Sequence, residues 1–106
     1  MMRKVSVYPF LHLVQQAPLK TAKALTMEGL TQHNCVGSRR YADAVRAGEK
    51  YIYAIKKPQR ATLSIMPGAG GTWHISELHT ACNRKVSFAT RESVEEWLQE
   101  NQEGLT

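Results

Sequence analysis

Three short stretches whose side chains follow a period of two residues constrain the fold of this chain more than any other feature. They run from Tyr51 to Ile55, from Ala61 to Met66 and from Trp73 to Leu78. This period is typical of β-strands, whose successive side chains point to opposite faces of a sheet. Two segments between them indicate turns, residues 56–59 with one proline and residues 67–71 with one proline and three glycines. The sequence therefore predicts an antiparallel meander over residues 50–79.

The segment before the meander carries helical signals. Residues 18–47 are predicted to be helical, with Pro18 in the first turn of one helix and Gly29 at its end. Apolar side chains three and four residues apart predict a second short helix over residues 39–47, which Gly48 would stop. Two helices are therefore expected before the first strand of the meander.

The two ends of the chain complete the predicted fold. Residues 1–17 are expected to form an extended arm or an edge strand, and residues 90–102 a C-terminal helix capped by Thr90. The whole chain of 106 residues is short enough to be one domain. We expect an α+β fold, in which a three- to four-stranded antiparallel meander carries the N-terminal helices and the C-terminal helix on one face.

Positive charge is concentrated in the first part of the chain. Residues 1–60 contain eleven bases and three acids, a net charge of +8, whereas residues 61–106 contain three bases and six acids, a net charge of −3. The chain as a whole carries +5, with an isoelectric point near 9.5. An acidic partner, of which nucleic acid is the commonest, is expected to contact the first part.

A cluster of bases interleaved with tyrosines supports the same partner. Such side chains can bind phosphates and stack on unpaired bases. The alternative is that the tyrosines belong to the core and the bases form an ordinary solvated surface. The candidate residues for binding nucleic acid or a nucleoprotein complex are Arg39, Arg40, Tyr41, Arg46, Lys50, Lys56, Lys57 and Arg60.

Two histidine–cysteine pairs offer a different chemistry. Together, His33, Cys35, His79 and Cys82 could ligate one structural zinc ion, although their spacing is not that of a zinc knuckle. Alternatively, Cys35 could be a nucleophile activated by His33 or His79 and oriented through Asn83. A non-enzymatic binding module without a cofactor is the leading interpretation. The zinc-stabilised domain and the Cys/His-dependent enzyme are the alternatives.

The sequence also bears on the compartment. The apolar stretch near the N-terminus is interrupted by Ser6, Pro9 and His12, which disfavours a secretory signal. No run of residues approaches the length that spans a bilayer, and two cysteines are too few for a disulfide framework. We expect a cytoplasmic protein that does not contact a membrane.

Several short stretches of the chain together match a known pattern, namely Glu28-Gly29, His33, Cys35-Val36-Gly37, Tyr41, Ala61-Thr62, Asn83-Arg84 and the closing helix residues 94–98. At these positions the chain resembles the PcfJ-like proteins. That family carries a Glu-Gly step, a His-Cys-Val-Gly segment with a following Tyr, an Ala-Thr strand and an Asn-Arg step. The resemblance covers residues 18–100.

Three positions depart from the family pattern. Asn34 separates His33 from Cys35, Arg39-Arg40 is inserted before the tyrosine, and the segment 79–82 replaces a Gly-Lys type of approach to the asparagine. The family is associated with plasmids, conjugative elements and phages. The resemblance therefore implies an accessory protein of a mobile element, with interference in a host nucleoprotein defence complex as one role, and it implies no particular reaction.

Overall fold

The computed structural model describes residues 14–102 of the chain. Within these residues, five strands form one antiparallel sheet in the order in which they follow along the chain. The strands are β1 (Gln15–Pro18), β2 (Tyr51–Lys57), β3 (Ala61–Pro67), β4 (Trp73–Thr80) and β5 (Arg84–Lys85). The helices are α1 (Ala22–Gln32), α2 (Arg39–Arg46) and α3 (Phe88–Glu100).

The predicted α+β class and the antiparallel meander are confirmed, but the sheet has five strands instead of three or four. The two additional strands lie at the edges and are short, with four residues in β1 and two in β5. Neither segment is long enough to show a clear period, so their strand character comes from backbone pairing with β2 and β4. Most of the arm or edge strand predicted for residues 1–17 lies outside the described residues.

The helices cover opposite faces of the sheet, which corrects the prediction that all of them lie on one face. Ile52 packs in a cluster with Leu25 of α1 and Tyr41 of α2. The next residue along β2, Tyr53, packs in a separate cluster with Val94 of α3. Because successive strand residues point to opposite faces, α1 and α2 lie on one face and α3 on the other.

The ends of α1 differ from the prediction. Pro18 ends β1, and the helix begins only after Thr21, whose hydroxyl accepts a hydrogen bond from the Ala24 amide at 3.0 Å. Gly29 lies inside the helix and does not stop it. A β-carbon at Gly29 would lie 2.9 Å from the backbone nitrogen of Gly37, so this glycine lets the following turn approach α1 closely.

The other helix predictions hold more closely. Helix α2 spans Arg39–Arg46 within the predicted range 39–47, and Gly48 follows with a φ of 75°, a left-handed conformation that glycine adopts readily. Helix α3 begins at Phe88 and not at Thr90, because Ser87 is the cap and accepts a hydrogen bond from the Thr90 amide at 3.1 Å.

Candidate functional site

The face of the sheet that α1 and α2 cover carries a group of polar side chains, and we describe this group as the candidate site. Thr62 and Ser64 alternate along β3 with Leu63, which points to the α3 side. In the β3–β4 pairing, Thr62 lies opposite His79 and Ser64 lies opposite Glu77. The register therefore places four polar side chains next to each other under the N-terminal helices.

One end of this polar surface holds a buried ion pair. The carboxylate of Glu28 in α1 accepts hydrogen bonds from the guanidinium of Arg60, one of them at 2.9 Å, and from the hydroxyl of Thr62 at 2.5 Å. The side chain of Asn34 donates to the Thr62 hydroxyl at 3.2 Å. Removing Arg60 would leave the buried carboxylate of Glu28 without its counter-charge, so the pair holds α1 against the start of β3.

Arg60 was predicted to bind nucleic acid, but in the structure its guanidinium forms hydrogen bonds within the fold. Its guanidinium also donates to the carbonyl oxygen of Ala61 at 2.9 Å. Its side chain is only 33% exposed, whereas that of Arg39 is 93% exposed. Because most of its donors are already occupied within the fold, we leave Arg60 out of the proposed binding surface.

A chain of contacts joins Cys35, Tyr41 and Glu77. The sulfur of Cys35 lies 3.6 Å from the hydroxyl oxygen of Tyr41, and this hydroxyl donates to Oε1 of Glu77 at 2.9 Å. Burial raises the pKa of Tyr41 above its ordinary value, and its contacts with Cys35 and with the negative charge of Glu77 raise it further. The phenol therefore stays protonated, and remains a hydrogen-bond donor, far above neutral pH.

A small cavity lies beside this chain of contacts. Its volume is about 20 Å³, and the residues that line it come from five different elements or turns. Three of the four predicted catalytic residues are among them, namely Cys35, His79 and Asn83. The other lining residues are Asn34, Val36, Tyr41, Thr62, Ser64 and Glu77.

His33, the fourth predicted catalytic residue, does not line this cavity. It follows α1 in a left-handed conformation, with a φ of 52°, and its side chain is exposed. Its backbone amide donates to the carbonyl oxygen of Gly29, which closes the helix. The structure thus assigns His33 a role in ending α1.

The four predicted zinc ligands do not form a metal-binding group. Cys82 lies in the turn after β4 with a φ of 61°, is exposed, and is absent from the cavity that Cys35 and His79 line. Over residues 14–102, no three side chains of His, Cys, Asp or Glu are arranged to hold a metal ion. The described geometry gives the zinc alternative no ligand set.

Sequence reasoning missed several residues of the site, among them Ser64 and Glu77. The hydroxyl of Ser64 is 1% exposed and has no hydrogen-bond partner in the described part of the chain. Both residues alternate with apolar residues along their strands. This alternation was the signal in the sequence that could have placed them on the opposite face. Only the strand register shows that they lie opposite each other.

The remaining predicted bases divide into two groups. Arg39, Arg40, Arg46 and Lys50 lie on or next to α2, and we call them the α2 basic surface. An open cleft of about 660 Å³ lies beside the helix and is lined by Arg39, Arg40 and Lys50 together with the acids Asp43 and Glu49. Asp43 makes only exposed contacts, at 3.9 Å with Arg39 and 3.2 Å with Arg46.

The second group lies at the other end of β2. Lys56 and Lys57 are exposed at the end of this strand, about 20 Å along the chain direction from Lys50. Arg84 and Lys85, which the sequence analysis did not include, are exposed on β5. The bases that lie close together in the sequence therefore belong to two separate surfaces.

The tyrosines belong to the fold. The Tyr41 ring is only 6% exposed, and the amine of Lys50 lies 4.9 Å from its centroid. The Tyr51 ring stacks on Trp73 with centroids 4.7 Å apart, and Tyr53 meets Trp97 edge to face at 5.3 Å. None of the three rings is an open platform for stacking on a nucleic-acid base.

Comparisons with known proteins assign the chain to no family and to no known fold or function. No family model, no curated protein and no solved structure matches this chain. Within residues 14–102, no helix combines the length and the apolar character needed to cross a lipid bilayer.

Proposed function

We propose that this protein is a small accessory protein of a mobile element, a phage or a plasmid, that binds nucleic acid or a nucleoprotein complex. The binding residues in this proposal are those of the α2 basic surface. The mobile-element origin is drawn from the resemblance to the PcfJ-like proteins. Binding without catalysis is favoured because the cavity beside Cys35 has a volume of about 20 Å³, whereas ligand pockets usually measure several hundred cubic ångströms.

The separation of charge between the two faces of the sheet is the observation that carries the proposal. Residues 19–50, which cover one face, contain six bases and three acids, and one of these acids, Glu28, is paired with Arg60. Helix α3 on the other face contains four glutamates and one arginine. Such a distribution orients a polyanion toward the α2 side and repels it from the α3 side.

The exposure of the arginines supports the same surface. The side chains of Arg39 and Arg46 are 93% and 73% exposed, so their guanidinium groups can reach phosphates with little cost in desolvation. Their nearest acid, Asp43, is itself 55% exposed and competes only weakly. The surface offers charge and no stacking platform, which predicts binding through the backbone of the nucleic acid with little sequence preference.

The double charge reversal Arg39→Glu with Arg40→Glu tests the proposal. We expect the affinity for a mixed-sequence DNA or RNA duplex near 100 mM salt to fall by about tenfold or more, and the slope of log K against log salt to lose about two units. Fluorescence anisotropy over a series of salt concentrations measures both quantities.

Lys56→Glu with Lys57→Glu is the matched control, because it changes the charge by the same amount at the other end of β2. We expect a clearly smaller loss of affinity from this pair. A larger loss would place the binding surface at the hairpin, and an equal loss would show that the two surfaces contribute alike, so either result contradicts the proposed surface. The proposal is wrong if the wild-type protein binds neither duplex nor single strands at low salt.

Interference with a host nucleoprotein defence complex is the biological role that we propose to test first. The tagged wild-type protein and the Arg39→Glu, Arg40→Glu variant would be incubated with host lysate, with and without nuclease. Capture that nuclease abolishes would support direct binding to nucleic acid. Capture that survives nuclease but requires the two arginines would support binding to the protein part of such a complex.

A further inference from the structure

The cavity beside Cys35 supports an inference that is independent of the basic surface. We propose that Cys35 is a redox modification site, at which a peroxide converts the thiol to a sulfenic acid whose oxygen is held in this cavity next to Ser64. Three features support this assignment: the size of the cavity, the buried and unpartnered hydroxyl of the lining residue Ser64, and the contrast between the two cysteines.

The size of the cavity matches one oxygen atom. A cavity needs roughly 10 to 15 Å³ to hold a water molecule, and this one measures about 20 Å³. Cys35 lines it, and the Cys35 sulfur is 3.6 Å from the hydroxyl of Tyr41, which lines it as well. An oxygen bonded to this sulfur can therefore be accommodated without displacing a neighbouring side chain.

The lining of the cavity can hydrogen-bond such an oxygen. Ser64 is one of the residues that line the cavity, and its hydroxyl is buried and has no partner among the described residues. A buried hydroxyl without a partner costs free energy that a new hydrogen bond recovers. His79 and Asn83 line the same cavity and add further polar groups. The cavity thus offers hydrogen-bonding groups to a small polar atom.

The peroxide is the only co-reactant that the oxidation of the Cys35 thiol to a sulfenic acid requires. The sulfur attacks one peroxide oxygen, the S–O bond forms and the O–O bond breaks. The sulfur loses two electrons to the peroxide, and the second peroxide oxygen leaves as hydroxide, which combines with the thiol proton to give water. The products with hydrogen peroxide are one sulfenic acid and one water molecule.

The second cysteine provides a comparison within the same molecule. Cys35 and Cys82 are both free and exposed, so a peroxide can reach either sulfur. Only Cys35 lines the cavity and contacts Tyr41. If exposure alone decided the outcome, the two thiols would be oxidised alike and their sulfenic acids would be equally short-lived.

In the test, the 106-residue chain is treated with hydrogen peroxide and then, after increasing delays, with a 1,3-dicarbonyl probe that traps sulfenic acids. Peptide mass spectrometry reports labelling at Cys35 and at Cys82 separately. We expect labelling at Cys35 to persist over longer delays than labelling at Cys82. We further expect Ser64→Ala to shorten the lifetime at Cys35 by about two- to tenfold, the effect of losing one hydrogen bond.

Ser76→Ala is the matched control, because Ser76 lies on β4 but does not line the cavity. It should leave the lifetime at Cys35 unchanged. Equal persistence at the two cysteines of the wild-type protein would overturn the proposal without any variant. An unchanged lifetime in a folded Ser64→Ala protein would overturn it as well, and so would oxidation of Cys35 to the sulfinic acid with no trappable sulfenic acid.

Discussion

The two faces of the sheet are built from the same strands but differ in what covers them. On the α3 side, Ile55, Leu63, Ile65 and Val94 are completely buried in a cluster of nine core residues. On the α1–α2 side, the buried apolar cluster has four members, and buried polar side chains of α1 and β3 lie on the same side. The α3 side therefore supplies most of the hydrophobic stability, whereas the α1–α2 side carries the groups that can do chemistry.

The difference follows from the alternation of side chains along β3. Leu63 and Ile65 point toward α3, whereas Thr62 and Ser64 point toward α1. A polar side chain on the second face requires a partner, and Thr62 finds one in Glu28. Ser64 has none among the described residues, and this makes the α1–α2 side the less satisfied of the two faces.

The largest effect is expected from truncating the core on the α3 side. Leu63→Ala should lower the free energy of unfolding by about 2 to 5 kcal/mol, because it removes buried methyl groups and leaves a cavity. Leu25→Ala, the same change on the α1–α2 side, should give a loss nearer the lower end of that range. Chemical denaturation measures both values.

Phe88→Ala is the control for this comparison, because the side chain is 80% exposed and should contribute within about 0.5 kcal/mol. If Leu25→Ala destabilised the protein as much as Leu63→Ala, the two faces would contribute equally to stability. The proposed division between a stabilising face and a chemical face would then be wrong.

A smaller effect is expected from the ion pair on the α1–α2 side. Glu28→Gln removes the charge that Arg60 and Thr62 contact, and we expect a loss of about 1.5 to 3 kcal/mol in the free energy of unfolding. Asp43→Asn is the matched control, since its pair with Arg46 is exposed and should contribute less than about 0.5 kcal/mol. Equal losses in the two variants would show that the buried pair has no special role.

The smallest effect concerns Tyr41 and the dependence of stability on pH. Because the pKa of Tyr41 is raised in the folded protein, the unfolded chain loses this proton first as the pH rises above about 10. The stability linked to this proton is complete below that pH and is lost as the pH rises further. Tyr41→Phe should therefore show a shallower decline in the free energy of unfolding above pH 10.

Some decline should remain in the Tyr41→Phe variant, because burial also raises the pKa of Tyr53. Urea denaturation of both proteins between pH 8 and pH 11 would compare the slopes, in a range set around the ordinary tyrosine pKa of about 10. Identical slopes in the two proteins would show that burial and the contacts with Cys35 and Glu77 do not raise the pKa of Tyr41 in the folded protein.

Local signals were sufficient for much of the fold. The period of two along the three central strands and the Pro-Gly-Ala-Gly-Gly turn predicted the meander, and Gly48 predicted the end of α2. The ends of α1 were not predictable in this way. Gly29 resembles a helix stop in the sequence, and only the approach of Gly37 shows why a glycine is needed inside the helix.

The candidate site was predicted in part. Cys35, His79 and Asn83 were grouped by their chemistry, and the structure brings them to one cavity. Arg60 and Tyr41 were grouped with the exposed bases, but both are engaged inside the fold, because a sequence pattern does not distinguish a solvated arginine from one facing a buried carboxylate. Glu77 was missed because its importance depends on a hydrogen bond to a residue 36 positions away.

The class of fold, the three central strands and the net positive charge of the first 60 residues follow from the sequence alone, because each of these depends on neighbouring residues or on composition. The packing of distant segments sets which helix covers which face, which bases stay exposed and which polar side chains surround Cys35. These features depend on strand register and on contacts between distant segments. A one-residue change in register would turn Ser64 and Glu77 to the other face without altering any local pattern.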